Sequence, residues 1–132
     1  MADKSLIAAA VAALAKAYAP YSRFLVGAAM KDEMGKVHAG CNVENAAYPE
    51  GTCAEAGAIA AMILAGGRRI TEAAVVGGGE GLVTPCGGCR QRIREFADQD
   101  VVVICHGVDG QPLSQTLAQL LPHSFGPEYL PK

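Results

Sequence analysis

Four residues have the types and spacing that chemistry requires. Cys53 and Glu55 lie two apart in GTCAEAGAI, and Cys86 and Cys89 lie three apart in PCGGC, 33 residues further on. Each pair opens a segment that reads as a helix, where the helix dipole and the free backbone N–H groups favour a thiolate. Three thiolates aimed at one spot make a tetrahedral zinc site with its fourth position open to water. That is the catalytic arrangement, whereas four protein ligands make a structural site. Cys41 and Cys105 are the candidate fourth ligands, but each falls in an apolar strand, which suits a packed thiol better. A C-x-x-C pair also marks redox dithiols, yet that reading leaves Cys53 and Glu55 without a task. Beside a metal site, Glu55 has the reach to take a proton from water and hand it on. Taken alone, the same residue reads as an acid stabilised by the N-terminus of its helix.

The elements that must hold these residues follow from periodicity. Leu6, Ile7, Ala10, Val11, Leu14 and Tyr18 form one helical stripe, which predicts a helix over Asp3–Tyr18 ending before Pro20. This stripe, interrupted by Lys16, favours a folded helix over a secretory leader for MADKSLIAAAVAALAKAYAP. FLVGAAMKDEMGKVHAGCNVE reads as two strands joined by a turn at Asp32–Gly35, and NAAYPEG leads into a helix from about Cys53 to Ala65. That helix is apolar nearly all round, which predicts that it is buried, and GG at 66–67 ends it.

AAVVGG is a short buried strand, GGGEG a connector rather than a phosphate loop, and CGGCRQRIREFA a helix with Ile93, Phe96 and Ala97 facing inward. VVVIC is a further strand, HGVDGQP a turn with room for a further short strand, and Ser114 is expected to cap a last helix, SQTLAQLLP. HSFGPEYLPK reads as an irregular tail. The order predicts one α/β domain over residues 1–132, a three-layer α/β/α arrangement around a central mixed β-sheet.

Bulk properties narrow the class. A hydrophobic content of 51% against 18% charged residues excludes disorder and points to surface covered by another chain. The net charge of −2, with no long basic run, disfavours nucleic acid and anionic membranes as partners. No run reaches the roughly 18 apolar residues of a membrane span. Five cysteines, an odd number in a chain with a real core, fit a reducing compartment such as the cytoplasm.

C-x-E followed by P-C-x-x-C resembles the zinc-deaminase signature, and cysteine as the first ligand resembles the cytidine deaminases. The likeness extends over most of the chain. It implies one Zn2+ per chain on Cys53, Cys86 and Cys89, with Glu55 moving the proton as cytidine or deoxycytidine becomes uridine or deoxyuridine and ammonia, in pyrimidine salvage. YSRFLVGAA resembles the family's first-strand segment and implies that Phe24 lines the pyrimidine pocket. CNVENAAY implies that Asn42 and Glu44 bond the ribose 3′-hydroxyl, with Ala46 and Tyr48 near the 5′-hydroxyl from a neighbouring subunit.

The same resemblance implies that the Ala54 backbone contacts the base and that Phe125, in LLPHSFGPEYL, stacks on it from an adjacent chain of a homotetramer with shared sites. The chain departs from the family at one position. Many members carry arginine after the glutamate, where this chain has Ala56. Arg90 and the helix N-termini are then the expected counterweights to three thiolates, with Gln91 as a neutral donor. Related deaminases act on nucleotides, nucleic-acid bases or antibiotics such as blasticidin S, and a zinc-stabilised binding module without catalysis is the reading from another class.

Overall fold

The computed structural model describes residues 3–79, 81–107 and 111–131. Its centre is a five-stranded sheet formed by β1 (Val26–Asp32), β2 (Val37–Cys41), β3 (Ile70–Gly77), β4 (Val102–Gly107) and β5 (Leu113–Thr116). The spatial order is β2-β1-β3-β4-β5, and only the β3–β4 pair is parallel. A parallel pair needs a crossover, and the helix α3 (Gly87–Phe96) supplies it.

Alternation along the central strands divides the core in two. Ala28, Met30, Val75, Val103 and Cys105 point to one face, where they meet α2 (Ala54–Leu64), α3 and the short α4 (Leu117–Leu120). Ala29, Ala74, Val76 and Ile104 point to the other face, against Leu6, Ala10 and Leu14 of α1 (Lys4–Leu14). Both faces are therefore covered, which is why these strands read as near-continuous apolar runs. Two glycines let the helices close on the sheet. A Cβ on Gly27 would lie 1.9 Å from the Ala10 carbonyl oxygen of α1, and one on Gly40 would lie 2.3 Å from the Ala58 nitrogen of α2.

The expected hairpin, the buried strands and the helix over Cys53–Ala65 are found, with Cys53 and Ala65 as the caps of α2. Four expectations need correction. The first helix ends at Leu14 rather than Tyr18, because Tyr18 donates its N–H to the Asn42 carbonyl and accepts from the Glu44 N–H. Backbone pairing with the segment after β2 outweighs the helical stripe there. Ser114 does not cap the last helix. It lies within β5, opposite Ile104, and Thr116 caps α4 in a reciprocal capping box with Gln119. The further short strand that the sequence left room for is thus found at Leu113–Thr116, and the last helix is shorter than expected. Finally, α2 is not buried all round: Leu64 is 91% exposed and Ala60 is exposed, leaving a shallow apolar groove between α2 and α3. Part of the expected HGVDGQP turn, residues 108–110, lies outside the described residues, as does Glu80 of the GGGEG connector.

Candidate active site

The loop after β3 and the chain after β2 deliver two helix N-termini to one place. Cys53 is the N-cap of α2 and Cys86 that of α3, each in an extended conformation that turns its side chain off the helix axis. Cys89 sits on the first turn of α3, on the same side as Cys86. The sulfurs of Cys53, Cys86 and Cys89 lie within 4.8 Å of one another, and this is the one such metal-ligating cluster among the described residues. Cys105 is buried in the core and Cys41 ends β2, and neither joins the cluster.

The electrostatics of these thiols bear on what belongs between them. Burial pushes the Cys89 thiol strongly upward, and the neighbouring Glu55 and Cys53 push it further. Burial also raises Cys53, whereas the backbone N–H of Cys89 lowers Cys86. Ionising all three in this space is costly unless a positive ion compensates. A soft, sulfur-rich donor set of three converging on one point fits Zn2+ with an open position.

Glu55, on the first turn of α2, is 4% exposed. Burial raises its carboxyl above the ordinary range, while Cys89 and Arg92 pull the other way. A buried carboxyl beside a metal cluster, with its protonated form favoured by burial, is suited to taking up a proton and passing it on. It borders a pocket of about 300 Å3 that also reaches Cys53 and Cys86.

The walls of that pocket include several of the residues singled out from the sequence. Phe24 stands at its rim, Ala54 is fully buried in its wall, and Asn42, Glu44 and Tyr48 also line it. Asn42 holds the start of β1, accepting from the Val26 N–H at 2.9 Å and donating to the Phe24 carbonyl at 2.8 Å. Glu44 accepts from the backbone N–H groups of Tyr21 and Ser22, at 3.0 and 3.1 Å, and from the Ser22 hydroxyl. These bonds, the Ser22 hydroxyl first, hold its carboxyl below the usual range, so it stays ionised. Tyr48 is exposed and stands edge-on to Tyr21 at 5.9 Å.

Other expected residues lie elsewhere. Ala46 is exposed and outside the pocket wall. Phe125 is 55% exposed, stacks on Tyr129 at 5.5 Å and does not line the pocket of its own chain. Arg90 is not the counterweight to the sulfurs. It is one residue past Cys89, about 100° round the helix, and donates to the Pro85 and Leu120 carbonyls and the Thr84 hydroxyl. Gln91 likewise turns away and donates to the Phe125 carbonyl at 2.9 Å. The arginine that meets a sulfur is Arg92, whose Nη1 donates to Cys89 Sγ at 3.4 Å. Its i, i+3 spacing from Cys89 was the available signal.

Comparison with known proteins agrees with this geometry. Residues 1–105 match the family described as "Cytidine and deoxycytidylate deaminase zinc-binding region". A cytidine deaminase of Sporosarcina psychrophila is 42% identical over 127 residues, covering 96% of this chain and 93% of its own. One from Mycobacterium tuberculosis is 40% identical, with 93% and 89% covered. The crystal structure of a cytidine deaminase from Burkholderia pseudomallei superposes with a TM-score of 0.88 at 43% identity, covering 95% of this chain and all of that one.

Proposed function

The chain belongs to the cytidine and deoxycytidylate deaminase family, and from that premise we propose that it hydrolyses cytidine and deoxycytidine to uridine and deoxyuridine with release of ammonia. The observation that carries the reading is the convergence of three sulfurs at two helix N-termini beside a buried glutamate. Cys53, Cys86 and Cys89 would hold the zinc, which when bound supplies a Lewis acid and water activated at neutral pH.

The chain's own residues do the rest. Glu55 takes a proton from the attacking water and delivers it to the ring nitrogen, which leaves C4 open to addition. It then moves a proton to the departing amino group, so that ammonia leaves and the carbonyl forms. The pocket wall at Phe24 and Ala54 receives the flat pyrimidine, and its apolar surface keeps bulk water from the reacting carbon. Glu44, already oriented by Ser22 and Tyr21, is an ionised acceptor for a ribose hydroxyl. Asn42, by fixing the Phe24–Val26 backbone, sets the pocket rim and has a second amide hydrogen for the same sugar edge. A fixed carboxylate at that edge disfavours a substrate phosphate there, which supports nucleosides over nucleotides.

The same reading takes residues 1–132 as one catalytic domain that works in pyrimidine salvage as a homotetramer. The exposed apolar groove between α2 and α3 supports assembly with other copies. Phe125, Tyr48 and Ala46, exposed in the single chain, are available to complete a neighbour's site. A cytoplasmic setting is supported by five free cysteines. Among the described residues, no helix is long and apolar enough to cross a membrane.

The test is the loss of cytidine ultraviolet absorbance with purified protein, alongside a metal count of about one zinc per chain. Glu55→Gln should keep the zinc and lose at least ~10²–10⁴-fold in turnover. Near-normal turnover in a zinc-loaded Glu55→Gln protein would return Glu55 to a helix-stabilising role. No turnover in the zinc-loaded natural sequence would favour a binding module.

A further inference from the structure

Three arginines stand two residues apart on α3, and a rotation of about 100° per residue sends each to a different neighbour. Arg90 ties the start of α3 to the backbone of Pro85 and Leu120. Arg94, buried, donates to Ser124 Oγ at 2.8 Å and pairs with Glu128 of the C-terminal segment. Arg92 has neither kind of partner. Among the described residues no carboxylate lies within 4.0 Å of it, and its guanidinium donates to the buried Cys89 Sγ.

Arg92 is exposed, but the side chains around it offer its guanidinium little besides that sulfur. Arg92 borders the groove between α2 and α3 with Ala56, Ile59, Ala60 and Phe96, none of which offers a side-chain acceptor. Glu95 borders the same groove but makes no ion pair with it. The sulfurs, by contrast, have a surplus of negative charge. Three thiolates around a divalent cation leave a net negative complex, and an ionised Glu55 adds to it. A sulfur that keeps all its electron density donates it to the metal and blunts the metal as a Lewis acid.

We propose that Arg92 is a positioning residue for the metal site, whose N–H donor to Cys89 draws electron density from the sulfur cluster and offsets its excess negative charge. The inference rests on the reading of Cys53, Cys86 and Cys89 as metal ligands. A hydrogen bond to a cation is among the stronger ones a thiolate can accept, and the site can receive it because Cys89 and Arg92 share a helix face.

The test uses the full chain with Co2+ in place of zinc, read by the thiolate-to-cobalt charge-transfer absorption. A hydrogen-bond donor stabilises the sulfur lone pair, so its removal should move the band to longer wavelength. Arg92→Ala is expected to bind cobalt at the natural stoichiometry, show that displacement, and lose about 10–100-fold in turnover when zinc-loaded. Arg92→Lys should bring band and turnover back part of the way. Arg92→Gln, which keeps a donor without the charge, should fall between Ala and the natural protein, and it carries the test if the Ala variant does not fold. An unmoved band in cobalt-loaded Arg92→Ala, or in Arg92→Gln in its place, would overturn the proposal and leave the metal reading intact. Absence of any charge-transfer band in the natural protein would instead overturn the metal reading on which it rests.

Discussion

Substitution of Gly40 by alanine should damage the site from outside it. Gly40 on β2 faces the first turn and a half of α2, the helix that carries Cys53 at its cap and Glu55 on its first turn. A Cβ there would lie 2.3 Å from the Ala58 nitrogen, 2.5 Å from the Ala54 carbonyl oxygen and 2.7 Å from the Gly57 carbonyl carbon. All three are backbone atoms, so no side-chain rotation can relieve the clash. Restoring ordinary contact requires roughly 1 Å of separation between helix and strand, given the optimal spacing of about 3.5–4.0 Å between carbon atoms. Overpacking of this kind costs about 1–3 kcal/mol, and a 1 Å misplacement of reacting groups costs up to about 10²-fold in rate.

The reciprocal change across the same contact has the opposite sign. A Cβ on Gly57 of α2 would lie 3.5 Å from the Gly40 Cα and 3.7 Å from the Cys41 carbonyl oxygen, which is ordinary contact. Alanine at a helix interior is worth up to about 1 kcal/mol over glycine, so Gly57→Ala should hold or raise stability. The assay compares Tm by circular dichroism, zinc content and kcat/KM for cytidine in both variants. Gly40→Ala should lower Tm and kcat/KM together, with zinc retained less well, while Gly57→Ala keeps all three. A Gly40→Ala protein as stable and active as the natural one, or a Gly57→Ala protein more damaged than it, would refute the argument that β2–α2 contact sets the site.

Two further outcomes test other parts of the structure. Thr116→Ala should destabilise the protein by about 1 kcal/mol through loss of the α4 cap, while Ser114→Ala in β5 changes stability by less, and equal effects in denaturant melts would contradict the capping assignment. Stability should also fall in acid. The carboxyls of Asp3, Asp32, Glu33, Glu44 and Glu128 are all held below their ordinary values, by partners that include Lys31, His38 and Arg94. Each contribution is complete above the unfolded value near 4 and is lost as pH drops through the lower folded value. Tm should therefore decline below about pH 4, and Asp3→Asn, which keeps a capping oxygen but cannot titrate, should flatten part of that decline. A Tm indifferent to pH between 6 and 3 would remove these groups from the account.

What the sequence alone determined was local. Cys86 and Cys89 belong to one helix start, Cys53 and Glu55 to another, and their spacings are read directly because a helix turn has a fixed pitch. The buried strands were legible for a similar reason, since a strand covered on both faces has no room for polar alternation. The tertiary structure decided everything that depends on rotation and register between elements. It brought the two cysteine-bearing helix starts together, and it gave Arg90 partners in Pro85 and Leu120 rather than at the sulfurs. The pairing of Tyr18 with Asn42 and Glu44 ended α1 early, and pairing with β4 drew Ser114 into a strand and left Thr116 as the cap. For α1 and for Ser114, a backbone partner on another element outweighed the preference of the local segment. A propensity is worth a few tenths of a kcal/mol per residue, less than the roughly 0.5–1.5 kcal/mol net of a hydrogen bond, so the partner wins.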